Sequence, residues 1–153
     1  MKRSTFVIYI VSLLAFSLAA VTKAPANPVS LQLSTTTITF PDSNPDQVPI
    51  IPAAQNPVTV TVRAEGTTTS WILEVIATDD LRSGADTIPI DAISWTANGA
   101  YFQSGDLSKS SMQAVGAGPK GNFTGVLSFQ LANSWFYDPG IYTTTITYTL
   151  VAP

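Results

Sequence analysis

Apolar residues recur along this chain at every second position over most of its length. "VTVTVRA" sets Val58, Val60 and Val62 on one face and Thr59, Thr61 and Arg63 on the other, the two-residue period of a half-buried strand. "SWILEVIAT" repeats it, with Trp71, Leu73, Val75 and Ala77 opposed to Ile72, Glu74 and Ile76, and "VLSFQLA" does so through Leu127, Phe129 and Leu131. "VSLQL" alternates through Val29, Leu31 and Leu33, and "TITF" through Ile38 and Phe40. The change of parity between these two segments predicts a bulge or kink at residues 34–36. A further strand is predicted across residues 88–96, around Ile93 and Trp95, and "ANGAYF" reads as a tight turn into a short strand. "DDLRSGAD" and "GAGPKGN" read as loops, whereas residues 107–115 give no clear pattern. The last strand spans residues 141–151. Tyr142, Ile146, Tyr148 and Leu150 share one of its faces, interrupted by Thr144, and Thr143, Thr145, Thr147 and Thr149 form the other.

Residues 41–57 break the alternation with Pro41, Pro45, Pro49, Pro52 and Pro57. Each lacks an amide donor, which excludes a central strand and leaves a long connection with at most a short edge segment at residues 48–51. Outside the N-terminus no stretch shows a 3.6-residue apolar period. Seven to nine strands with turn signals roughly every 8–14 residues predict an all-β antiparallel sandwich or barrel. Asp138-Pro139-Gly140-Ile141-Tyr142 has the D-x-G-x-Y form of a tyrosine corner, in which the Tyr hydroxyl reaches back to a backbone group. That favours an immunoglobulin-like sandwich of Greek-key type.

The N-terminus sets the compartment. Lys2 and Arg3 precede an apolar run at residues 6–20, and "APA" at residues 24–26 has the A-x-A form of a cleavage site. This is a secretory signal, short for a bilayer span. Cleavage after Ala26 is expected, with Ala19 as an earlier option. The predicted organisation is therefore a signal at residues 1–26 and one sandwich domain at residues 27–153, secreted to the cell envelope or surface and not held in a membrane after cleavage.

Three of the seven Lys/Arg residues precede residue 27, so the mature part carries four bases against ten acids, a formal −6. Four scattered bases give no footprint for nucleic acid or anionic lipid. The chain has no Cys and no His, which removes disulfides, the Ser-His and Cys-His nucleophiles and the commonest metal ligand. Asp42, Asn44 and Asp46 have the alternate spacing of a calcium loop, but Gln47 and Ala53 stand where its glycine and glutamate belong, so a turn is expected. Asp79, Asp80 and Asp86 cluster beside Arg82 and read as a solvated loop; Asn122-Phe123-Thr124 is a formal glycosylation sequon. No enzyme activity and no cofactor are expected.

Two segments are candidates for contact with a partner. Trp135, Phe136 and Tyr137 are adjacent before the last turn, and at least one is expected to reach solvent as a stacking platform for sugars. Val29, Leu31 and Leu33 form an alternating apolar strand just after the cleavage point, suited either to the domain's own first strand or to donation into a neighbour's groove.

The final stretch "YTTTITYTLVAP" resembles the closing motif of WxL-type bacterial cell-wall-binding domains, with Tyr142, Ile146, Thr147, Tyr148, Leu150 and Pro153 in its places and Trp71-Ile72-Leu73 as the Trp-any-Leu triplet. Tyr148 stands where that motif has Trp, and Pro153 arrives one residue early. The resemblance implies a surface protein held on a cell-wall polymer, or on a surface protein or glycan. "PGIYTTTITYTL" is also similar to the last strand of pilin-like subunits of the spore-coat-U type, which implies self-assembly by donor-strand exchange. The first expectation is a non-enzymatic surface-attachment module; the alternative is a pilus-like subunit.

Overall fold

In the computed structural model, which describes residues 9–12, 29–138 and 140–152, the chain forms a β-sandwich of two packed sheets. In chain order the strands are β1 (Tyr9–Ser12), β2 (Val29–Leu33), β3 (Thr37–Ile38), β4 (Ile50–Pro52), β5 (Val58–Ala64), β6 (Ser70–Ala77), β7 (Leu81–Ser83), β8 (Asp86–Ile88), β9 (Ile93–Asn98), β10 (Gly105–Asp106), β11 (Gln113–Pro119), β12 (Gly121–Ala132) and β13 (Thr143–Val151). One sheet runs β11-β6-β13-β1-β3, with the β7–β8 hairpin added through β13. The other runs β10-β9-β12-β5-β2, with β4 beside β12. Among the described residues every pairing is antiparallel except that of β1 with β13.

The alternation read from the sequence is the inside–outside alternation of these strands. Val58, Val60 and Val62 of β5, Trp71, Leu73, Val75 and Ala77 of β6, and Leu127, Phe129 and Leu131 of β12 all point into one core. The parity change at residues 34–36 is where the chain leaves one sheet for the other: β2 pairs with β5, whereas β3 pairs with β1. Thr35 holds that corner, its hydroxyl donating to the Thr37 carbonyl and accepting from the Thr37 amide. The edge segment in the prolyl connection is β4, paired with the end of β12.

Two predicted loops are strands. "DDLRSGAD" folds into the β7–β8 hairpin, because Leu81 and Ile88 both bury in the core while Gly84 takes a positive φ of 62° at the turn. "GAGPKGN" is the junction of β11 and β12. Gly116 and Gly118 sit in a strand because the Trp71 ring lies against the backbone there: a Cβ on Gly118 would stand 2.9 Å from Trp71 Nε1. The unpatterned stretch at residues 107–115 divides into a buried Leu107, a serine-rich turn and the start of β11. The strand expected across residues 88–96 begins only at Ile93, after a three-residue 3-10 turn at Ile90–Ala92. The larger strand total, against the seven to nine expected, comes from two- and three-residue segments at the sheet margins.

Tyr142 is buried, and its hydroxyl donates to the Asp138 carbonyl at 2.8 Å, the local contact expected of a tyrosine corner. The acidic loop is an ion-pair cluster. Arg82 Nε lies 2.8 Å from Asp79 Oδ2, and Lys109 Nζ lies 2.5 Å from Asp80 Oδ2. The Arg82 hydrogen bond, aided by the Asp80 amide, pulls the Asp79 carboxyl from 3.8 down to about 2; Lys109 lowers Asp80 in the same direction. A carboxyl with a depressed folded-state pKa stabilises above its unfolded pKa, and that contribution is lost as pH falls through the folded value. Asp79→Asn is therefore expected to lower the melting temperature slightly at about pH 6, the difference shrinking between about pH 4 and 2 and gone below that range. Because both partners are solvent-exposed, the effect is small. Melting curves of the two proteins across that pH range check it.

Candidate functional site

Two places in the sandwich are unfinished or displayed outward. The first is a slot between β3 and β13. These strands do not pair with each other; β1 lies between them, its residues Tyr9 to Ser12 in parallel register with Thr143 to Ile146 and its Ile10 and Val11 opposite Ile38 and Thr37. Among the described residues β3 has no other strand partner. Beyond Ile146 the slot-facing edge of β13 carries no strand among the described residues, although β6 pairs with the opposite edge as far as Val151. A small cavity continues the slot there, lined by Leu33, Thr36, Ile38, Val58, Ile146 and Tyr148. The inward positions of β13 along the slot are Thr144, Ile146 and Tyr148. Thr144 is satisfied by donating to the Asp79 carbonyl at 2.9 Å. Burial pushes the Tyr148 phenol up, well above its ordinary range.

β1 lies inside the segment predicted to leave as the signal, which the sequence alone did not connect to the slot. The cleavage points at Ala26 and Ala19 lie outside the described residues, as does Pro153. Val29, Leu31 and Leu33 are half-buried in β2, which among the described residues is an edge strand paired with β5. They are part of their own sandwich here and do not occupy the slot.

The second place is the end of the sandwich where β12 runs out. Trp135 is 66% exposed and Phe136 95% exposed, whereas Tyr137 turns inward over a cavity lined by Phe40, Ile51, Ile88 and Leu131. The three adjacent rings thus separate into two displayed and one packed. Asn133 fixes the turn that carries them. Its side-chain amide donates to the carbonyls of Ser43 (2.9 Å) and Val48 (3.1 Å), and its backbone amide donates to Pro49 at 2.9 Å. Trp135 Nε1 donates to Asp46 Oδ1 at 3.0 Å, and Asp46 is held in turn by its amide on Asn44 Oδ1 at 2.9 Å. The calcium-like spacing of Asp42, Asn44 and Asp46 therefore builds an Asx turn. Among the described residues no group of three potential ligands converges on a metal position.

The motif residues shared with WxL-type domains fall elsewhere. Trp71, Leu73, Tyr142, Ile146 and Tyr148 are buried, and Thr147 and Leu150 are half-buried. They build core and sheet and offer little surface. No model of a known protein family matches the chain, and comparison with curated proteins finds no significant match.

Proposed function

We propose that this protein is an exported, non-enzymatic structural subunit of a surface assembly, its sandwich completed by a β-strand that a neighbouring subunit donates. The observation that carries this reading is the slot between β3 and β13, covered among the described residues by Tyr9–Ser12, a part of the chain with the character of a removable export signal. Once that segment is cleaved, β3 loses the strand partner it has among the described residues, and the slot-facing edge of β13 loses β1. An unpaired edge over an apolar floor is a template for an added strand, in which main-chain hydrogen bonds give affinity and alternate side chains give fit.

β2 of a neighbour is the proposed donor. Val29, Leu31 and Leu33 match in number the three inward positions Thr144, Ile146 and Tyr148. In its own sheet β2 is paired on one edge, and in a neighbour's slot it is paired on both. A strand passed from each copy to the next is a head-to-tail contact, which propagates as an open fibre. Attachment to a wall polymer is less well supported, because the residues that resemble the wall-binding motif are mostly core.

The test uses the native host. Cells are sheared, and the released material is run unboiled on a denaturing gel and probed for this protein. A ladder of multimers that collapses on heating is expected. A lone monomer band, retained in the wall fraction and released by salt, would overturn strand exchange in favour of wall attachment.

A further inference from the structure

We infer that the Trp135–Phe136 turn is a binding site for neutral glycans, with Asp46 as its polar partner. Three observations carry this, none of which depends on strand donation. The rings are displayed rather than left over. Phe136 is almost wholly in water and Trp135 two-thirds so, yet the turn beneath them is held by the Asn133 amide, by the Ser134 hydroxyl accepting from the Phe136 amide at 3.2 Å, and by the bond from the indole to Asp46. A turn backbone and an indole fixed before binding lose little entropy when a ligand arrives. Pro41, Pro45 and Pro49 stiffen the loop that supplies Asp46.

The size of the patch fits a sugar better than a protein. Two aromatic side chains present on the order of 300 Å², well short of the roughly 800 Å² that each partner gives to a stable protein interface. A pyranose has one face of C–H groups that lies on an aromatic ring, and equatorial hydroxyls that donate to a carboxylate at the ring's edge. Asp46 stands at that edge, its Oδ1 accepting from the indole at 3.0 Å, and a carboxylate has lone pairs on both oxygens with which to accept from sugar hydroxyls.

Charge sets the ligand class. Residues 41–57 and 132–142 contain Asp42, Asp46 and Asp138 but no Lys or Arg, so the site repels phosphate- or carboxylate-bearing polymers. Neutral hexose or N-acetylhexosamine chains remain.

The chain carries its own reporter. Of its three tryptophans, Trp71 and Trp95 are buried, so collisional quenching by acrylamide reads Trp135. The protein purified from its secreting host is titrated with cellohexaose and with the hexamer of N-acetylglucosamine. One of these is expected to shield Trp135 from quenching at up to about 10 mM, the range of weak single-site affinity. Phe136→Ala should weaken that binding about tenfold or more, as loss of a central aromatic contact does. Trp135→Ala, followed by retention on the immobilised sugar, should abolish it. Both side chains are exposed, so near-ultraviolet circular dichroism should show the buried aromatics unchanged. No shielding by either sugar, or undiminished retention of Trp135→Ala, would overturn the inference. Shielding by tetramethylammonium in place of the sugars would also overturn it, making the site a cation–π cage.

Discussion

A chain beginning at residue 27 is expected to be markedly less stable than the same chain carrying a strand tethered after residue 153 by a flexible linker. β1 meets β13 at four positions and β3 at two. At about 1 kcal/mol for each main-chain bond made, emptying the slot costs about 5 kcal/mol, comparable to the whole stability of a small domain. The apolar lining of the slot, Ile38, Val58, Ile146 and Tyr148 among it, becomes wet at the same time. A tethered copy of residues 29–33 should restore a cooperative transition at a higher denaturant midpoint, and a copy with Leu31→Asp should not. Equal midpoints for the open and tethered chains would mean that the slot closes on itself and is not a seat for a strand. Both versions omit the native N-terminal segment, so the comparison isolates the slot.

Trp71→Ala should be among the most damaging single substitutions in the core, about 3–5 kcal/mol by denaturant melt. The Trp71 ring is fully buried, with the rings of Phe102 and Phe123 at centroid distances of 5.6 and 5.8 Å. Gly116 and Gly118 have no side chains with which to refill the space, so a cavity would remain between β6 and β11. Trp71 Nε1 is buried with no hydrogen-bond partner among the described residues, and an unsatisfied buried donor costs about 1–3 kcal/mol. Trp71→Phe removes that donor while keeping much of the ring, and should therefore cost far less than Trp71→Ala. A similar loss for both substitutions would show that indole volume alone matters. By contrast, Phe136→Ala should change stability by no more than about 0.5 kcal/mol.

Much of the architecture was legible in the residues because a half-buried strand writes its burial directly into a two-residue period. β5, β6, β12 and β13 could be drawn, with their inward faces, from Val58, Trp71, Phe129 and Ile146 and their neighbours. The tyrosine corner was legible too, since it depends on five consecutive residues. Where the reading failed, the controlling contact was distant in sequence. "GAGPKGN" has loop composition, and only the Trp71 ring lying on that backbone makes glycine the residue a strand requires there. "DDLRSGAD" is polar in five of its eight residues, and it pairs as a hairpin because Leu81 and Ile88 have a core to enter.

The candidate sites divide in the same way. The sequence by itself determined that the protein is an all-β chain with an export-like N-terminus, few bases, no cysteine and no histidine, because composition and period are local properties. It also placed three aromatics in a row. Which of the three faces water was decided by the packing of Tyr137 over Phe40 and Ile51 and by the reach of Asp46 to the Trp135 indole. The slot is wholly tertiary. Residues 9–12, 37–38 and 143–146 become neighbours only when segments far apart in the chain assemble into one sheet, and the hydrogen bonds left unmade at a sheet edge have no signature in the residues that border it.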